Sequence, residues 1–114
     1  MNYVNLCPHA IHICGEDGSI VRTIEPSGTV ARCNEASRYL GSNPPDDIPL
    51  ILRKYGAVDG LPNEQDWPPT ILFIVSNMVR QALPERLDIA SPGDAVRDDQ
   101  GRIIGVKNLI VNEA

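Results

Sequence analysis

Thr70-Ile71-Leu72-Phe73-Ile74-Val75-Ser76-Asn77 is the stretch on which the rest of this sequence is organised. Its first six residues are β-branched or apolar with no polar alternation. Such a run predicts a central strand buried on both faces rather than one with a wet side. Ser76 or Asn77 then offers a side-chain oxygen to cap a helix. Met78, Val79, Ala82 and Leu83 follow at helical spacing and predict its apolar face. Pro84 stops it early, because a proline ring cannot continue a helix.

Outward from this unit the chain reads as strands and turns. Val4 and Leu6 straddle Asn5, and Pro8 interrupts. Ile11 and Ile13 alternate with His12 and Cys14, as a half-buried strand does. Gly15-Glu16-Asp17-Gly18-Ser19 is turn chemistry, and Ile20 to Glu25 returns, so residues 10–25 predict a hairpin. Thr29 to Cys33 predicts a third strand. Asn34 to Leu40 fits either a helical turn capped by Asn34 or the polar end of that strand. Gly41 to Asp47 reads as a loop, and so does Asn63 to Pro69. Ile48 to Tyr55 predicts an edge strand despite Pro49, with one more short extended piece around Ala57 and Val58. Leu87 and Ile89 alternate with Asp88, and Ser91-Pro92-Gly93 reads as a turn. Ala95 to Val106 predicts a second hairpin around Asp98-Asp99-Gln100-Gly101, and Leu109 to Val111 a closing strand. The expected fold is α+β: a strand-rich curved sheet or partial β-barrel of about six to eight strands with one main short helix, residues 1–114 forming a single domain.

Bulk properties narrow the function. The chain has 114 residues, enough for one core. Ten prolines and nine glycines favour short elements over a bundle. A formal net charge of −5 repels a phosphate backbone, so general nucleic-acid binding is not expected. Three cysteines and no leader-like start predict a reducing compartment: the cytoplasm of a bacterial or infected host cell. The longest apolar run is too short to cross a membrane.

Four groups of residues can carry chemistry. Cys7, His9, His12 and Cys14 bring two thiols and two imidazoles together, but their spacing is not that of a zinc knuckle. Buried cysteines acting as small hydrophobes, with His9 anchoring a bend, account for them as well. Ser76 and Asn77 stand where a strand feeds a helix and amide N–H groups collect, with Arg80 one turn on. That is a place for an anion, or only for a cap. Arg80, Arg86, Asp88, Arg97 and Asp98 can clamp an anion or form surface ion pairs. Trp67 can stack on a base, anchor a partner or plug the core under its loop. No P-loop, dinucleotide-binding glycine pattern, His-Glu-x-x-His or Gly-x-Ser-x-Gly is present.

Asn5-Leu6-Cys7-Pro8-His9 and Ile74-Val75-Ser76-Asn77-Met78-Val79 stand well apart in the chain. So does the tail Pro92-Gly93 through Val96-Arg97-Asp98, Gly101 and Ile103-Ile104-Gly105. Together this ordered set resembles small, mostly uncharacterised proteins of bacteriophages, prophages and actinobacterial genomes. In those proteins threonine usually stands where this chain has Cys7, which counts against a thiolate metal ligand there. The resemblance implies a phage context and no particular activity.

Three function classes follow. The first is a binding protein that captures a small anionic, nucleotide-like ligand, such as a bacterial defence signal, without cofactor or metal. Its expected site residues are Ser76, Asn77, Arg80, His9, Trp67 and Arg97, placed between subunits of a homo-oligomer. The second is an acidic inhibitor of a host or defence protein, steered by its charge. The third is a small hydrolase using His9 or Ser76.

Overall fold

A computed structural model describes residues 2–43 and 47–113. The chain enters as β1 (Asn2–Asn5), β2 (Ile11–Cys14) and β3 (Ile20–Ile24). Two long strands follow, β4 (Arg32–Asn43) and β5 (Ile48–Asp59), then a 3-10 turn over Glu64–Asp66. Next come β6 (Ile71–Ile74) and α1 (Asn77–Ala82). The tail is β7 (Ile89–Pro92), β8 (Ala95–Arg97), β9 (Ile103–Val106) and β10 (Leu109–Val111).

These strands form three sheets among the described residues, ordered β1-β6-β7-β10, β3-β2-β9-β8 and β4-β5. In the first, β1, β6 and β7 run parallel and β10 returns antiparallel on β7. In the second, the two hairpins β2-β3 and β8-β9 join through a parallel β2–β9 contact at Ile13 and Val106. The expected α+β curved sheet or partial barrel is therefore corrected to a mostly β fold with mixed sheets and no closed barrel. Strand makes up 51% of the structure and helix 8%, too little for a helical layer. The physical reason is pairing between segments far apart in sequence, β1 with β6 and β2 with β9, which splits the strands into separate layers instead of one meander.

β6 is the two-faced strand its sequence predicts. Phe73 points into one core with Leu6, Ala31, Val75, Val79 and Ile89. Its neighbour Ile74 points into the other with Cys7, Ile11, Ile24 and Val106. The period of two along a strand sends consecutive side chains to opposite faces, so an unbroken apolar run serves both cores. The first core lies toward α1, and the second joins the two four-stranded sheets. Asn5, 1% exposed, ties the second core's rim: its Nδ2 donates to the carbonyls of His9 (2.9 Å) and Ile24 (3.0 Å), and its Oδ1 accepts from Cys7 N–H (2.8 Å).

Several local expectations change. Residues 34–43 are strand, not a helical turn or a loop, and Ile48 to Asp59 is one continuous strand rather than two pieces. Pro44, Pro45 and Asp46, expected in the loop at 41–47, lie outside the described residues. Ser91 and Pro92 sit in β7, not in a turn. On α1 only Val79 is buried, and Met78 faces solvent. The β4-β5 pair stands as a ribbon whose foot packs on α1. Its reach helps give a radius of gyration of 17.3 Å, against about 13 Å for a compact chain of this length.

Candidate functional site

The junction after β6 is built from local chemistry. Ser76 has extended backbone angles, and its Oγ accepts from Val79 N–H at 3.3 Å, so the hydroxyl is committed to capping α1. Asn77 and Arg80 share one side of the helix because they are three residues apart. Arg80 reaches across to β7 and to the C-terminal segment. Its Nε donates to Ser91 Oγ at 2.8 Å, its Nη1 to Asn112 Oδ1 at 3.2 Å and its Nη2 to Asn77 Oδ1 at 2.8 Å. Asn112 in turn donates to the carbonyls of Leu83 (2.8 Å) and Arg86 (2.9 Å). The guanidinium is thus half-buried and fixed by three neutral acceptors. Among the described residues no carboxylate comes within salt-bridge distance of it.

Beside this cation lies an open cleft of about 430 Å³, lined by Tyr55, Gly56, Asn77, Met78, Gln81 and Ala82. One wall is the foot of the β4-β5 ribbon and the other is α1. Tyr55 offers an exposed ring, Met78 a thioether, Gln81 a carboxamide that donates and accepts, and Asn77 its Nδ2 donor, since its Oδ1 already accepts from Arg80 and Ser91. The cleft's polarity comes from neutral groups, with the Arg80 charge one side chain behind Asn77.

The other expected site residues are not brought here. His9 lines a second cavity of about 330 Å³ with His12, Ile103 and Gly105, and Ser76 is not part of that lining. His12 Nδ1 pairs with Thr23 Oγ1 at 2.9 Å. Trp67 lines a third cavity of about 300 Å³ and meets Phe73 edge to face, ring centroids 5.6 Å apart. Arg97 Nη1 donates to the Gly101 carbonyl at 2.7 Å, which fixes the turn of its own hairpin. Arg86 and Asp88 form a two-pronged ion pair at 2.7 Å, and that carboxylate holds the guanidinium even more firmly protonated than usual. Asp98 Oδ1 accepts the backbone N–H groups of Gln100 and Arg102.

The three cysteines are unpaired, with Cys7 and Cys14 buried. Burial pushes the Cys7 thiol above its ordinary value. Among the described residues no three His, Cys, Asp or Glu side chains stand together in a metal-binding arrangement. No helix among them is long and apolar enough to cross a membrane.

Sequence reasoning reached Asn77 and Arg80 because both belong to the helix start. It missed Tyr55 and Gln81, and it missed Ser91 and Asn112, which orient Arg80. The only advance signal for them was residue type: carboxamides and a hydroxyl, the neutral partners an arginine takes when no acid is at hand. No protein-family model, curated protein or solved structure matches this chain.

Proposed function

We propose that this protein is a non-catalytic binding protein that captures a small anionic, nucleotide-like ligand in the cleft between the ribbon foot and α1. One observation carries the reading: Arg80 is half-buried, held rigid by Ser91, Asn77 and Asn112, and lacks a carboxylate among the described residues. A positive charge withdrawn from water and left uncompensated raises the local potential and favours an anion nearby. The cleft beside it has the volume and groups for a flat heterocycle: Tyr55 to stack on, Asn77 and Gln81 to read its edge. The likeness to phage proteins makes nucleotide signals of bacterial defence the first ligands to test.

The hydrolase reading loses its geometric support, because the Ser76 hydroxyl is spent on the cap and His9 lines a cavity without it. The inhibitor reading draws on the net charge alone.

Titration calorimetry against a panel of linear and cyclic nucleotides tests the proposal. Binding tighter than micromolar to at least one member is expected, weakened about tenfold or more by Tyr55→Ala and by Gln81→Ala, since base–aromatic stacking alone contributes about 1–3 kcal/mol. Both side chains are solvent-facing, so these variants keep the fold. No binding across the panel overturns the proposal.

A further inference from the structure

The β4-β5 ribbon is the least explained part of the molecule. At about 3.4 Å per residue, its twelve-residue strands are roughly 40 Å long. No third strand joins them among the described residues, so both long edges keep unpaired backbone groups. A lone two-stranded ribbon is marginal in water, and its open edges are templates for association. Its side chains add to that cost of exposure. Ile48, Leu50 and Leu52 alternate onto one face and are 56%, 40% and 40% exposed. On that face Arg38 lies opposite Leu52, and Lys54 opposite Ala36. Neither cation has a carboxylate partner among the described residues, whereas Arg53, on the other face, pairs with Glu35 at 2.8 Å. The leucine face is therefore both apolar and positive.

The body holds its complement. The cavity under Trp67 is lined by Pro68, Leu72 and Leu87, with Glu64 and Asp88 at its edge. Trp67 and Leu87 are exposed. Arg86, paired with Asp88 at 2.7 Å, stands among three acids, Asp88, Glu64 and Glu85, which outnumber it. This recess is apolar and negative. Over its whole length the ribbon is neutral and the body acidic. Residues 32–59 contain four basic residues (Arg32, Arg38, Arg53, Lys54) and four acidic ones (Glu35, Asp46, Asp47, Asp59), so the net charge of −5 belongs to the rest.

We infer that the ribbon is an exchange arm: its leucine face seats on the Trp67 recess of a second copy of this chain, which returns the contact. The leucine face clear of α1, from Ile48 to Lys54, is about 24 Å long and two strands wide, roughly 230 Å² at strand spacing. Two reciprocal contacts, counted on both partners, reach about 900 Å², the size of a weak, reversible association rather than of an obligate one. The inference does not depend on the ligand reading, and its test uses ligand-free protein.

Sedimentation velocity of the pure chain at tens of micromolar is expected to give twice the 12.4 kDa chain mass. The sole tryptophan, Trp67, reports the contact directly. Its emission should shift red on dilution to monomer and in Leu50→Ser/Leu52→Ser, whose dimer dissociates at least about a hundredfold more readily. Charge reversal supplies a control that does not depend on ribbon packing. Arg38→Glu/Lys54→Glu alone and Glu64→Lys/Glu85→Lys alone should both be monomeric, and mixing them should restore a dimer. A monomeric wild type overturns the inference. So does a dimer that both sets of variants leave intact, and so does a ribbon that is covered only when a different protein is added.

Discussion

Replacing Asn5 with alanine removes a side chain that is only 1% exposed and makes three hydrogen bonds. The variant leaves the buried Cys7 N–H without its acceptor and takes from the buried Ile24 carbonyl its side-chain donor. His9 is exposed, so its carbonyl regains water. Each buried orphan costs about 1–3 kcal/mol, and the space left by the amide adds to this. The expected loss is about 3–5 kcal/mol, a large share of the roughly 5–15 kcal/mol that holds a domain of this size. Urea unfolding followed by far-UV circular dichroism gives the change from the midpoint shift at constant slope. Asn5→Asp sharpens the test. A carboxylate keeps the acceptor for Cys7 but presents negative charge to two carbonyls that need donors. Burial and those carbonyls raise its folded pKa above its unfolded value of about 3.9. The folded state then binds the extra proton, so the stability tied to that proton is present below the unfolded pKa and lost as pH rises through the folded one. Relative to wild type, Asn5→Asp should be less damaged at pH 4 than at pH 7. A cost below 1 kcal/mol for the alanine variant, or no pH dependence for the aspartate variant, would refute the anchoring role.

Thiol labelling at pH 8 should modify Cys33 first, since it is only half-buried, and Cys7 last, because it is buried and burial holds its thiol protonated. Fast labelling of Cys7 in the native protein would contradict its place in the core. As the Cys7 pKa is raised from 9.0, its share of stability falls as pH rises above about 9, and Cys7→Ala should flatten that decline. Gly60→Ala is expected to destabilise by about 2–3 kcal/mol, because φ is +85° and the added Cβ meets the Val30 carbonyl oxygen. A thermal midpoint unchanged from wild type would sink that expectation.

Where neighbouring residues decide an element, the sequence was readable. The run from Ile71 to Val75 has no polar break, so its burial on both faces followed from composition alone. Gly18 and Gly101 take positive φ at the turns of the two short hairpins, as their turn chemistry predicts. Ser76 caps α1, and Pro84 follows its end. The ribbon was not readable in this way. Asn34 to Asn43 is polar and carries Gly41, which reads as helix start or loop. It is a strand because Ile48 to Asp59 supplies a ladder opposite it, with Gly41 at φ +111° beside a bulge. The parallel pairings of β1 with β6 and β2 with β9 have no local signature, so the sequence predicts one sheet where the described residues form three. The site shows the same division. Asn77 and Arg80 belong to one helical turn and were found together. Tyr55 reaches them only because the ribbon foot packs on α1. His9, Trp67 and Arg97 have suitable chemistry but belong to other cavities and turns.

The central claim is that the cleft of Tyr55, Gly56, Asn77 and Gln81 is the ligand site. Amide and side-chain chemical shifts of isotope-labelled protein, followed during titration with the nucleotide panel, test it most directly. The account predicts saturable shifts centred on Gly56, Asn77 and Gln81, with the Arg80 Nε–H signal moving as the anion approaches. Shifts confined to the cavity around His9 and Gly105, or none at all, would contradict it.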